Sequence, residues 1–309
     1  MCGLFGFSAC DDFAGADELS LSLASQSAIR GTDATGFAFN KNGKLNILKA
    51  AKAGDLFEFK HPIGARGLIG HTRHGTQGSE EKNYNNHPFW GKTKNAKFAL
   101  AHNGVLINDD TLQKELRLPK TKIETDSYVA VQLIESKKKL DFDSIRYMAE
   151  KVEGSFSFSI LDDKNNLYLV KGDSPLSVLY FQKHKIYVYA STDEILYKAL
   201  VDSKLFSSLK KGEYEEIPLE EGEILKISAD GSLERQRFNY RYYYGKGWWQ
   251  YGVTKDIEQI VSPNIETDYI DELKRVAVFE GYDPDMVDRL LKDGFDPIEI
   301  EGYLYGYVY

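Results

Sequence analysis

With 309 residues, 42% hydrophobic and 28% charged, the chain has the make-up of a globular protein with room for one sizeable domain and a smaller one. A formal net charge of −8 argues against nucleic acid as a partner, because phosphate binding needs a basic surface. No apolar run approaches the roughly 18 residues that span a bilayer, so no membrane association is expected.

The first nine residues are apolar, but no Lys or Arg precedes them and Asp11 and Asp12 follow at once. They are therefore not expected to act as an export signal. Only two cysteines are present, Cys2 and Cys10, which excludes a disulfide framework and fits a reducing cytoplasm.

In chain order, Gly3–Ala9, Gly36–Asn40 and Leu45–Ala50 read as short strands. Between the first two, Asp17–Ile29 carries Leu19, Leu23 and Ala24 at helical spacing and is followed by Gly31 as a stop. Gly67–Gly70 and Phe98–Asn108 read as further strands. Thr125–Lys139 and Asp141–Val152 read as helices, the second with Ile145, Met148, Ala149 and Val152 on one face. A run of strands follows: Ser155–Leu161, Leu167–Lys171, Val178–Gln182, Ile186–Ala190, Gly222–Ser228 and Ser232–Tyr240. Helices bunched in two places among antiparallel-looking strands predict an α+β layered sandwich rather than a parallel βαβ fold.

The composition changes after Tyr240. Arg241–Gly252 is rich in aromatics and glycines, and Gly281-Tyr282-Asp283-Pro284 recurs as Gly294-Phe295-Asp296-Pro297. Each copy reads as a helix end, an aromatic, an N-cap Asp and a Pro at the first helical position. The expected organisation is a main domain over 2–240, a linker over 241–261 and a small three-helix module over 262–309. Its helices are expected at about Thr267–Glu280, Pro284–Asp293 and Pro297–Tyr305.

The chemistry begins at Cys2. Loss of Met1 would place its thiol beside a free α-amine with a pKa of about 7.7–8.0, able to act as base for its own side chain. Alone, a cysteine at position 2 is more often just a small buried residue. Five segments change its standing. Cys2-Gly3-Leu4-Phe5-Gly6, Arg30-Gly31-Thr32-Asp33-Ala34-Thr35-Gly36, His71-Thr72-Arg73-His74-Gly75-Thr76-Gln77-Gly78, Ala101-His102-Asn103-Gly104 and Glu124-Thr125-Asp126-Ser127 stand in one order. Together they resemble the motifs of the class II glutamine amidotransferases, whose N-terminal nucleophile releases ammonia from glutamine.

The resemblance implies a four-layer αββα sandwich of two antiparallel sheets, the N-terminal-nucleophile hydrolase fold, with the helical tail outside it. It also implies roles. L-glutamine carries one carboxylate and one ammonium; Arg73 would hold the first bidentately, and Asp126, at the mouth of a helix, the second. The Asn103 side-chain NH2 and the Gly104 N–H would stabilise the oxyanion. Thr76 would bind substrate or shape the loop, and Arg30, Asp33, His71 and His102 would support the site. Asn103-Gly104 also reads as a plain hairpin turn between Phe98–His102 and Val105–Asn108. At positions 74 and 77 this chain has His and Gln, where relatives often carry an aromatic and a His.

Five histidines fall between positions 61 and 102, but no HExxH or paired CxxC spacing is present, so neither a metal nor another cofactor is expected. No pyrophosphatase, phosphoribosyl-pyrophosphate, sugar-isomerase or Walker signature follows. Ammonia would thus either escape or go to an acceptor-site synthase on a separate protein, and the C-terminal helices would either dock that partner or simply pack on the main domain. The alternatives are a hydrolase of another γ-glutamyl amide or peptide bond, and a non-catalytic interaction protein on the same scaffold.

Overall fold

The computed structural model describes residues 2–41, 43–61, 63–75, 77–203 and 213–241, and in the tail residues 270, 273–274, 277, 282–283, 285–293, 295 and 300. It divides into two compact units, Met1–Gly245 and Lys246–Tyr309.

The first unit opens with β1 (Gly3–Ala9), α1 (Ala16–Ser27) and a short 3-10 turn at Ala28–Arg30. The strands β2 (Ala34–Lys41), β3 (Lys44–Ala50), β4 (Gly67–Arg73), β5 (Phe89–Lys92) and β6 (Lys97–Leu106) follow. Three helices come next, α2 (Asp109–Glu115), α3 (Tyr128–Ser136) and α4 (Phe142–Lys151). Then come β7 (Gly154–Asp162), β8 (Leu167–Lys171), β9 (Ser177–Phe181), β10 (Ile186–Ala190), α5 (Asp193–Asp202), β11 (Glu215–Glu216), β12 (Glu223–Ile227) and β13 (Leu233–Arg237).

The strands form two antiparallel sheets, ordered β11-β9-β10-β1-β4-β2-β3 and β13-β12-β8-β7-β6-β5. Period-2 alternation gives each sheet an inner and an outer face. The outer face of the first sheet buries Phe5, Phe7, Phe37 and Leu68 with Leu19 and Leu23 of α1 and Leu196 and Leu200 of α5. On the second sheet, Leu100, Phe156, Phe158 and Val170 pack with Leu133 and Ile134 of α3 and Ile145 and Met148 of α4. Leu4, Ala38, Ile69, Ala99, Ala101, Leu161 and Leu169 meet between the sheets. The result is the four-layer αββα sandwich expected.

The differences from the sequence reading are local. β5, α2 and α5 were not anticipated, although α5 carries a sequence signal: the Thr192 side chain accepts from the Ile195 N–H as an N-cap, and Ile195, Leu196, Ala199 and Leu200 are its buried face. The helix expected from Thr125 starts at Tyr128, because Asp126 and Ser127 turn their side chains toward each other and toward β6. Asn103-Gly104 is not a hairpin turn. Both residues run inside β6, which pairs without a break with β7, Asn103 against Ser157 and Gly104 against Phe156.

In the second unit a helix α6 spans Asp285–Lys292, and Leu273, Ala277, Val287 and Ile300 form a small core. The linker over 242–261 and most of the first and third tail helices lie outside the described residues.

Candidate active site

Alternation decides which side chains converge. Leu4 of β1 lies between the sheets, and Cys2 has the same parity one step before the strand. Ile69 of β4 lies there too, with His71 and Arg73 next at that parity. On β6 the series is Ala99, Ala101 and then Asn103. Pairing of Gly3 with Thr72 and a 3.0 Å contact between His71 Nε2 and the His102 carbonyl bring the three series together at one end of the sandwich.

The Cys2 sulfur lies against the backbone just beyond β4. The His74 N–H donates to Sγ at 3.4 Å, and the His74 carbonyl, 3.5 Å away, accepts from the thiol. Burial pushes the thiol pKa up, while the His74 N–H and the positive chain terminus pull it down. Asp126 raises it further and Arg73 lowers it, so an anion and a cation both lie within electrostatic reach of the sulfur. The Arg30 Nε donates to the Cys2 carbonyl at 2.8 Å, fixing the start of the chain.

Arg73 is 3% exposed and Asp126 5%, and no ion pair joins them. The guanidinium grips the following loop: one terminal nitrogen donates to the Asn86 Oδ1 at 3.1 Å, the other to the Gln77 and Gly78 carbonyls at 2.7 and 2.6 Å. A carboxylate arriving here would share Arg73 with those carbonyls. The Asp126 carboxylate accepts from the Leu106 N–H at 2.6 Å and from the Ser127 N–H and hydroxyl at 2.7 and 3.0 Å. Buried charges are held by hydrogen bonds where no counter-ion sits in contact.

Asn103 is buried, and its side-chain Nδ2 has no hydrogen-bond partner. Such an orphan donor is costly unless something occupies it during function. Its neighbour Gly104 has φ +136°, and the Ser155 carbonyl fills the place a β-carbon would take, so only glycine fits. Asp33 accepts the Gly75 N–H at 2.6 Å, and Gly36 pairs with His71.

His71, His87 and His102 are buried together, with 4.1 Å between the rings of His71 and His87 and 6.4 Å between those of His87 and His102. Burial and repulsion among the rings hold His71 near a pKa of about 3 and push His87 well down, while burial alone lowers His102 against the opposing pull of Asp126. His102 Nδ1 faces the Ser127 hydroxyl at 2.8 Å. Among the described residues no group of three His, Cys, Asp or Glu is arranged to hold a metal.

The structure thus brings Cys2, Arg30, Asp33, Arg73, Asn103, Gly104, Asp126, His71 and His102 to one end of the sandwich, while Thr76 lies outside the described residues. Sequence reasoning missed the His74 backbone, for which no side chain gives a signal. It also missed Asn85 and Asn86, which tie the loop after Arg73 to Glu124 and to the Glu80 carbonyl.

Residues 71–198 match the family described as glutamine amidotransferase domain. The glutamine–fructose-6-phosphate aminotransferase (isomerizing) of Staphylococcus aureus is 34% identical over 191 residues, covering 57% of this chain and 30% of the relative. Its Bacillus cereus counterpart is 33% identical over 186 residues, covering 58% and 30%. The chain thus spans under a third of the length of these curated relatives. Among solved structures, the glutamine phosphoribosylpyrophosphate amidotransferase of B. subtilis superposes with a TM-score of 0.62 at 23% identity, over 78% of this chain and 50% of that one. A structure described as the allosteric regulatory enzyme of purine biosynthesis gives the same values. At that identity the likeness speaks for the fold.

Proposed function

We propose that the chain is a class II glutamine amidotransferase with an N-terminal cysteine nucleophile, and that it hydrolyses the side-chain amide of L-glutamine through a Cys2 thioester, a reading supported by the match of residues 71–198 to the glutamine amidotransferase domain. After loss of Met1, the Cys2 α-amine takes the thiol proton. The sulfur attacks the amide carbon, and the oxyanion receives hydrogen bonds from Asn103 Nδ2 and the Gly104 N–H. The C–N bond breaks as the α-ammonium returns its proton to the leaving nitrogen, and ammonia departs. Water then cleaves the thioester, giving glutamate and free thiol.

The observation that carries this reading is a thiol within electrostatic reach of one buried cation and one buried anion that do not pair with each other, Arg73 and Asp126. That is what a zwitterionic amino acid requires. Arg73 binds the α-carboxylate by sharing donors with the loop carbonyls, Asp126 binds the α-ammonium, and Arg30, Asp33, His71 and His102 hold these groups in place. Thr76, outside the described residues, binds substrate or shapes the loop.

Main domain, linker and tail divide the chain at about 240 and 261, and ammonia passes to an acceptor synthase on a separate protein docked through the tail helices. No described helix is long and apolar enough to cross a membrane, and a reducing cytoplasm suits the free thiols of Cys2 and Cys10.

Intact-mass measurement after treatment with 6-diazo-5-oxo-L-norleucine, a glutamine analogue that alkylates the nucleophile, tests the reading. The expected product lacks Met1 and carries one adduct that Cys2→Ala abolishes together with ammonia release. Retention of Met1 in fully active protein would overturn it.

A further inference from the structure

The turn that precedes β2 is more than a support, and its role rests on the nucleophile reading above. We propose that Asp33 is a positioning residue that holds the His74 peptide against the Cys2 sulfur, so that a backbone N–H is aimed at the thiolate.

The hold is built from three residues of one short turn, Arg30, Gly31 and Asp33. Arg30 donates through Nε to the Cys2 carbonyl at 2.8 Å, which fixes the residue bearing the sulfur. Gly31 lies flat against the Arg73–His74 peptide, where a β-carbon would run into the Arg73 carbonyl and the His74 nitrogen. Asp33 donates its own N–H to the Arg73 carbonyl at 3.0 Å, and its carboxylate accepts the Gly75 N–H at 2.6 Å. The peptide groups on both sides of His74 are thereby pinned, just where β4 ends at Arg73 and ladder pairing stops. The His74 N–H and C=O are left facing Sγ at 3.4 and 3.5 Å.

That arrangement serves both protonation states. The carbonyl accepts from the thiol, and the N–H donates to the thiolate. Burial opposes the charged form of the sulfur, so a fixed donor matters more here than in water. A backbone donor cannot be titrated and needs no side chain, so position 74 can carry His where relatives often have an aromatic. The Asp33 charge itself disfavours a nearby thiolate, so its benefit must come through the Gly75 hydrogen bond.

The test measures Cys2 alkylation by iodoacetamide against pH, by peptide mass, in full-length protein freed of Met1. It compares wild type, Asp33→Ala, Asp33→Ser (too short to reach Gly75) and Asp33→Asn, which keeps an acceptor and removes the charge. Asp33→Ala and Asp33→Ser should each raise the midpoint by about one pH unit and slow alkylation about tenfold at pH 7, while Asp33→Asn stays near wild type. Reactive wild-type Cys2 with an unmoved midpoint in the Ala and Ser variants overturns the positioning role alone. So does a midpoint that falls in Asp33→Asn and Asp33→Ala alike, which would mark Asp33 as a charge and nothing more. Wild-type Cys2 that resists both iodoacetamide and the glutamine analogue overturns the nucleophile reading and this inference with it.

Discussion

In the proposed reaction a single orphan donor bears much of the chemistry. Asn103 sits inside a paired strand, buried, with its Nδ2 unpartnered, next to a glycine whose φ of +136° no other residue holds without strain. A native protein rarely leaves such a group unsatisfied, and charge developing on a substrate oxygen would satisfy it. Asn103→Ala should lower kcat for glutamine by about 10²–10³ and leave KM within a few-fold, because the contact forms in the transition state. Steady-state ammonia release checks this, and an equal rise in KM would place Asn103 in ground-state binding instead. The local sequence suggested the oxyanion role and a hairpin turn together; only the β7 partner ruled out the turn, since the strand pairing of Gly104 is set by residues some fifty positions away.

Between elements, the buried histidines join the two sheets. His71 comes from β4, His102 from β6 and His87 from the segment leading into β5, and His71 Nε2 touches the His102 carbonyl across the layers. Lys49 and Arg73 face His71 and His87 with positive charge, Asp126 faces His102 with negative charge, and burial dominates for all three rings. Their folded pKa values lie below the ordinary 6.5, so the unfolded chain binds more protons in acid. The stability they contribute is complete above about pH 6.5 and is lost as pH falls, for His71 down to about pH 3. Each imidazole kept neutral costs about 1.4 kcal/mol per pH unit within that window. Melting profiles from pH 7 to 4 should therefore drop steeply before most carboxylates titrate, and His87→Phe should make the slope shallower by about one proton. A flat profile down to pH 5 would show that these rings gain protons in the folded state. From the sequence, the same histidines were a crowded stretch with no metal spacing; their stacking needs both sheets in place.

At the scale of the whole molecule, the chain pairs the αββα sandwich with a second compact unit of its own. In that unit Tyr282 and Phe295, the aromatics of the doubled Gly-aromatic-Asp-Pro motif, are 42% and 48% exposed, while Val287 of α6 is buried in a small core. Under the docking proposal, these aromatics would be the contact points. Deletion of Ser262–Tyr309 should leave glutamine hydrolysis within about twofold of the full chain, because each unit buries its own core. It should abolish co-purification with an acceptor synthase. Loss of hydrolysis in a deletion variant that still melts cooperatively would assign the tail to the catalytic unit.

Local chemistry was enough to identify much of this protein. A thiol at position 2, an Arg and an Asp proposed to meet a zwitterion, and strands recognisable by period-2 alternation are properties of short windows. Helix α4 was equally plain, with Asp141 and Ser144 forming a capping box at its start. Tertiary structure decided what depends on partners distant in the chain. It bent Gly104 against Ser155, turned Arg73 onto its own loop, packed three histidines into neutrality and laid the His74 peptide beneath the sulfur. Those are effects of backbone pairing and burial, and neither is encoded in the identity of any one neighbouring residue.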